Sequence, residues 1–187
     1  DTGSQSDAEQ LLSAIDRYNA FQGFFPWQVN ADDENLQVGV VDAAGELVPV
    51  EISEDSMPSL PGLGEDSTCT ILERLSTGDP DFEAGEGADD LKSCSGSQEI
   101  KESFVTRLLD DGTRTLYIYN NGDQGSSTYV CFIPQSGAFK DTANTRCGDS
   151  DGTSLPDDID DAAAAYICGS GRADDEGVAA SAMHCLP

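Results

Sequence analysis

The stretch that decides the fold of this 187-residue chain lies near its start and reads Leu11-Leu12-Ser13-Ala14-Ile15-Asp16-Arg17-Tyr18-Asn19-Ala20-Phe21-Gln22-Gly23-Phe24-Phe25-Pro26. With Ala8 before it, the apolar side chains recur every three to four positions, as on one buried face of a helix. We therefore predict an amphipathic helix over residues 6–22, starting at a capping box formed by Ser6 and Glu9. Gly23 favours the end of that helix, and Pro26 prevents its continuation.

The next clear signal is a β-rich region at residues 100–133. Runs enriched in Val, Ile, Thr, Tyr and Phe predict strands over Ser103–Leu109, Thr113–Tyr119 and Thr128–Ile133. Two turn signals separate these runs, Asp110-Asp111-Gly112 and Asn120-Asn121-Gly122. The order predicts an antiparallel meander. Within residues 115–119, aliphatic side chains alternate with tyrosines, which indicates that both faces of the sheet are covered.

Two polar regions flank the predicted meander. Residues 27–99 form an acidic, variable loop region, in which residues 38–41 and 47–52 predict short strands and Thr68–Ser76 a short helix. Residues 134–187 form a C-terminal region bounded by cysteines, with a helix over 157–168 and a tail held only through Cys185. The sequence thus predicts one α+β domain over residues 1–187, rich in loops, whose N-terminal helix packs on an antiparallel sheet.

The charge of the chain is extreme and uneven. There are 36 acidic and 9 basic side chains, for a formal net charge of −27. Residues 1–91 carry 21 acids and 2 bases, whereas residues 92–146 carry 6 of each. Such a field repels nucleic acid and anionic membrane surfaces, so we expect no nucleic-acid partner. The acid excess suits metal cations or a saline environment, in which salt screens the self-repulsion.

Cysteine usage indicates an oxidising compartment. The six cysteines show no Cys-x-x-Cys spacing, and they are Cys69, Cys94, Cys131, Cys147, Cys168 and Cys185. An even number at wide spacing predicts three disulfides and an extracellular or periplasmic location. Fifteen pairings exist, and pairing between nearest neighbours closes the shortest loops. We therefore expect the bonds Cys69–Cys94, Cys131–Cys147 and Cys168–Cys185.

The stretch from Leu11 to Pro26 resembles the end of the long N-terminal helix of type IV pilins and type II secretion pseudopilins. There, an aliphatic stripe is followed by a tyrosine, a short polar run, a glycine, an aromatic residue and a proline, matched here by Tyr18, Gly23, Phe25 and Pro26. A second stretch, from Thr128 to Lys140 with Cys147 beyond it, looks like the sheet strand and cysteine-closed tail of some pilin headpieces. The two stretches span 16 and 13 residues, about a sixth of the chain.

The resemblance implies a structural, non-enzymatic protein: the headpiece of a pilus or pseudopilus subunit, serving adhesion, motility, DNA uptake or secretion. Its partners would be other subunits, joined through an apolar helical half that anchors such proteins in the membrane and forms the filament core. That half is missing from these 187 residues, and no run approaches the roughly 18 apolar residues of a membrane span. Because the chain starts at Asp1 without Met, we expect a removed N-terminal segment.

A secreted calcium-dependent binding or adhesion module is the main alternative. Asp149, Asp151 and Asp157 stand in a loop whose carboxylate and carbonyl oxygens suit calcium, although the spacing is not that of an EF-hand. Some pseudopilins similarly hold calcium in a C-terminal loop. In so acidic a chain, a solvated acidic loop is the alternative interpretation of the same residues.

A secreted hydrolase is a weaker alternative. The only histidine, His184, precedes Cys185, and a Cys–His nucleophile would need that cysteine to be free. No carboxylate pair stands out among so many acids. The basic residues of the neutral centre are expected either to pair within the chain or to meet the acidic 31–90 region of a neighbouring subunit; they are Lys101, Arg107, Arg114, Lys140 and Arg146.

Overall fold

The computed structural model describes residues 1–28, 30–52, 71–76, 98–110, 114–148, 154–170, 172 and 180–187. The helices in this part of the chain are α1 (Thr2–Gln22), α2 (Ile71–Ser76), α3 (Glu102–Asp110), α4 (Gly137–Cys147) and α5 (Asp161–Ile167). The strands are β1 (Val40–Val41), β2 (Leu47–Val48), β3 (Val50–Glu51), β4 (Leu116–Tyr119), β5 (Tyr129–Phe132) and β6 (His184–Leu186).

Helix α1 confirms the predicted N-terminal helix but starts earlier. Its buried positions recur every three to four residues, as the sequence predicts, and include Ala8, Leu11, Ile15 and Tyr18. The capping box at Ser6 is wrong, because the helix already begins at Thr2 with Asp1 as its N-cap residue. The Asp1 carboxylate instead accepts hydrogen bonds from backbone N–H groups beyond β5, which fixes the first turn of α1 against the sheet.

A four-stranded antiparallel sheet with the order β3-β4-β5-β6 forms the centre of the fold, next to a small β1–β2 hairpin. Strands β4 and β5 confirm two of the three predicted central strands, and they pair in register from Leu116 opposite Phe132 to Tyr119 opposite Tyr129. The outer strands come from distant parts of the sequence, because Val50 pairs with Ile118 and Cys185 pairs with Cys131. The sheet is therefore not a meander confined to residues 100–133.

Both faces of the sheet are covered, as the alternation along β4 predicts. One face packs against α1, α2 and α3, and its central contributors are Leu116, Ile118, Val130 and Phe132. The opposite face, with Tyr117, Tyr119, Tyr129 and Cys131, packs against residues of α5 and the turn before it. The chain is thus α+β, with its N-terminal helix in contact with β5 in the middle of an antiparallel sheet.

The prediction of a strand over Ser103–Leu109 is wrong, because these residues lie in helix α3. Phe104 and Leu108, four positions apart, are both buried in the core beside α1 and α2. Four residues make about one helical turn, so this spacing places both side chains on one helix face. An apolar run of this length fits a strand or a helix equally well, and the neighbouring helices decided between them.

The C-terminal region is more regular than the sequence predicts. Helix α4 was not predicted, and α5 confirms a shorter form of the helix expected over 157–168. The tail is held by more than Cys185, because β6 adds the edge strand beside β5. The predicted turn at Asp110-Asp111-Gly112 extends outside the described residues.

The disulfide pairing expected from loop length is wrong for the two bonds that the structure describes. Cys131 bonds Cys185, 54 residues away, and Cys147 bonds Cys168, 21 residues away. The reason lies in strand register, because β5 and β6 place Cys131 directly opposite Cys185. Cys69 and Cys94 lie outside the described residues.

Within the described ranges, the chain contains no helix with both the length and the apolar composition needed to cross a lipid bilayer.

Candidate functional site

The four residues of the pilin-like motif come together where the chain leaves α1. Gly23 adopts a left-handed conformation, φ 81°, and its N–H donates to the carbonyl oxygen of Asn19, which closes the helix. Tyr18 is buried, and the Phe24 ring meets its ring edge-on at 5.7 Å between centroids. Phe25 stacks on Trp27 at 4.5 Å, and Pro26 between them is buried. The motif therefore forms a packed turn rather than an open chemical site.

A buried arginine contacts this turn. Arg74 in α2 is fully buried, and its guanidinium lies 5.8 Å from the centre of the Tyr18 ring and 5.3 Å from that of Phe24. Nη1 donates to the carbonyl oxygens of Pro26 and Gln28. Burial raises the pKa of the Tyr18 hydroxyl, with the charge of Arg74 acting in the opposite direction. Sequence reasoning missed Arg74, because nothing in its local pattern distinguishes it from an exposed helix residue.

A buried carboxylate links α1 to α3 and to the segment before β4. Asp7 is 3% exposed, and its Oδ1 accepts a bond of 2.5 Å from Nη2 of Arg107 in α3. Its Oδ2 lies 3.7 Å from Nη1 of Arg114, which precedes β4. These two arginines therefore pair within the chain, one of the two outcomes expected for the basic centre. Arg146 also bonds internally, to the carbonyl oxygen of Cys185 at 2.7 Å.

Tyrosine hydroxyls fasten the segment before α5 to the second face of the sheet. Tyr129 donates to Asp158 at 2.5 Å, and Tyr119 donates to Asp160 at 3.2 Å. Burial, together with the bond to Asp158, raises the pKa of Tyr129 to about 12. Burial disfavours the charged form of Asp158, but hydrogen bonds from Ser127 N–H and the Tyr129 hydroxyl outweigh it and lower the pKa of this carboxyl. These hydrogen bonds keep the Tyr129 hydroxyl protonated and hold the segment before α5 on the sheet.

The calcium prediction is not tested by this arrangement. Asp149 and Asp151 lie outside the described residues, and Asp157 is exposed in the turn before α5. In the described part of the chain, no group of three or more His, Cys, Asp or Glu side chains is placed to hold a metal ion.

A cavity of about 580 Å³ opens at the end of the sheet nearest the start of α1. Ser4 of α1, Glu51 of β3, Tyr117 of β4 and Phe132 of β5 contribute to its wall. The lining contains both polar and apolar groups, and Glu51 is the one acidic side chain among the described lining residues. Outside the lining of this cavity, Phe21 in the last turn of α1 is 83% exposed, and Val40 and Val41 are also exposed.

His184 and Cys185 do not form a nucleophile pair. The sulfur of Cys185 is bonded to Cys131, and the imidazole of His184 is buried against the rings of Phe132 and Phe139. A Cys–His pair requires a free thiol, so this dipeptide serves packing and cross-linking.

No protein-family model, no curated protein and no solved structure matches this chain.

Proposed function

We propose that this chain is the sheet-bearing headpiece of a type IV pilin or pseudopilin, a structural subunit of an extracellular or periplasmic filament. The observation that supports this function best is the placement of α1. Its apolar stripe lies against the middle of the antiparallel sheet, and the chain then leaves it through the Tyr18–Pro26 turn. The residues that resemble the pilin helix in sequence are thus the same residues that pack against the sheet.

The way α1 is fastened also suits a filament subunit. Asp1 is bonded beyond β5, Asp7 is bonded to Arg107, and Tyr18 contacts Arg74, so three separate positions along the helix are held by different elements. A helix held along its whole length moves with the sheet as one body. In a filament, such a helix would transmit the position of an apolar rod in the core to the headpiece on the surface.

The disulfides agree with an extracytoplasmic location. Cys131–Cys185 holds the C-terminal strand to the sheet, and Cys147–Cys168 joins α4 to α5. Structural disulfides persist in secreted and periplasmic proteins and are rare in the cytosol of mesophiles. A filament headpiece exposed to the medium gains stability from such bonds.

The decisive experiment reads the coding sequence ahead of Asp1. The filament function requires a short basic leader followed by about 20 apolar residues continuous with α1. An ordinary cleaved signal peptide directly before Asp1 would refute it and would favour a secreted binding module.

A cellular experiment tests assembly. Antibodies raised against this domain are expected to label surface filaments, or a pseudopilus formed on overexpression, in electron micrographs of the native host. The matched control is the same host with the gene deleted. Label confined to the medium, with an unchanged set of filaments after deletion, would contradict the proposal.

A further inference from the structure

The histidine at the start of β6 occupies an unusual position between α4 and the sheet. His184 is 6% exposed, and its ring centroid lies 5.3 Å from that of Phe132 in β5 and 5.4 Å from that of Phe139 in α4. The Phe139 ring meets the imidazole edge-on, at 90°. Phe139 also contacts Phe132 directly, at 5.9 Å between centroids, so the three rings form one cluster through which α4 packs on the sheet.

The surroundings of this imidazole disfavour its protonated, charged form. Its Nδ1 is buried and has no hydrogen-bond partner among the described residues. A buried polar nitrogen without a partner already costs free energy, and protonation would add a charge in the same place. Burial, followed by the positive charge of Arg146, lowers the pKa of His184.

The charged groups of the surrounding elements do not offer a negative partner to a protonated His184. Helix α4 carries Lys140, Asp141 and Arg146, of which Arg146 is bonded beside the ring to the carbonyl oxygen of Cys185. The acids of α1 and its N-cap are engaged elsewhere: Asp1 with backbone N–H groups, Asp7 with Arg107, and Glu9 with a neighbouring glutamine, while Asp16 lies exposed near the other end of the helix. Strand β5 presents the Phe132 ring to this position and contains no charged residue.

We propose that His184 makes the docking of α4 on the sheet sensitive to acid. The neutral imidazole packs against both phenyl rings, whereas the imidazolium would face Arg146 in a buried site. Since the pKa of His184 is lowered on folding, its contribution is complete above the unfolded pKa of about 6.5 and declines as the pH falls below that value. The Cys147–Cys168 bond keeps the end of α4 attached, so the expected change is a local loosening of the helix.

Hydrogen–deuterium exchange of the intact, oxidised protein tests this inference. Exchange is followed at about pH 7.5 and about pH 5.5, on either side of the ordinary histidine pKa, and is corrected for intrinsic rates. Peptides from α4 are expected to lose protection several-fold at the lower pH, while peptides from β4 keep theirs. The matched control is His184→Phe, which retains an aromatic ring and removes the only imidazole of the chain. Equal loss of α4 protection in both proteins would overturn the proposal.

A second measurement does not depend on the folding of that variant. Because the chain has one histidine, its imidazole proton gives one resonance, whose titration reports His184 directly. The expected midpoint lies below about 6.5, and Arg146→Gln is expected to raise it by removing the neighbouring charge. A midpoint at or above the ordinary value in the wild-type protein would overturn the inference.

Discussion

Replacing Leu11 by alanine tests the contact on which the proposed function depends. Leu11 is fully buried in the core cluster that joins α1 to the sheet. Removal of a buried leucine side chain costs the lost transfer free energy and leaves a cavity, so we expect a loss of about 3 kcal/mol in the free energy of unfolding. For a domain of this size, that loss lowers the Tm by roughly 6–12 °C.

The neighbouring leucine provides a matched control. Leu12 belongs to the same helix and is only partly buried at the edge of the same cluster. The substitution Leu12→Ala removes the same atoms and changes helix propensity equally, so the difference between the two variants isolates burial against the sheet. We expect a cost of about 1 kcal/mol for Leu12→Ala, because less apolar surface of that side chain is buried in the folded protein.

Chemical denaturation followed by tryptophan fluorescence measures both variants. The only tryptophan, Trp27, is buried and stacked on Phe25 in the turn after α1, so its emission reports on the helix exit. The disulfides are kept oxidised throughout. If both leucine variants lose the same stability, or Leu11→Ala loses less than the control, α1 does not lie on the sheet in solution and the filament argument loses its support.

Three further perturbations test the contacts around this helix and the sheet. Asp7→Asn removes the charge that faces two arginines, and we expect a loss of about 2 kcal/mol in the free energy of unfolding. The exposure of those arginine side chains, 45% and 40%, limits the cost. An unchanged midpoint in urea denaturation would contradict the pairing. Replacing both Cys131 and Cys185 by alanine opens a loop with a sequence separation of 54, and we expect a loss of about 4 kcal/mol in the free energy of unfolding. A loss below about 1 kcal/mol would show that strand pairing alone holds the tail. Because the pKa of Asp158 is lowered on folding, its contribution is present above the unfolded pKa of about 4 and is lost as the pH falls through the folded pKa. Tyr129→Phe should therefore raise the midpoint of the Asp158 carboxyl in an NMR titration, and an unmoved midpoint would show that the hydroxyl bond does not form.

Local patterns predicted the elements whose residues carry long, regular spacing. The repeat of apolar residues through Ile15 and Tyr18 requires a helix, and Gly23 and Pro26 require its end. The alternation along β4 predicted a sheet covered on both faces, because successive side chains of a strand point in opposite directions. The short run containing Phe104 and Leu108 lacked that length, and its strand prediction was wrong.

Local sequence patterns did not predict the features that depend on residues far apart in the chain. The burial of Arg74 follows from the carbonyl oxygens and aromatic rings that the end of α1 brings to it. The burial of His184 follows from two phenylalanines that α4 and β5 pack against it. Neither residue has neighbours in the sequence that would indicate these surroundings.

By itself, the sequence determined an acidic, cysteine-linked α+β chain whose N-terminal helix has one apolar face and a defined end, because these properties depend on composition and on spacing within a few residues. Only the tertiary structure decided that the last strand pairs with β5 and therefore that Cys131 bonds Cys185. The physical reason is that disulfide pairing depends on which cysteines strand register brings within bonding distance, and register is settled by the packing of the whole sheet.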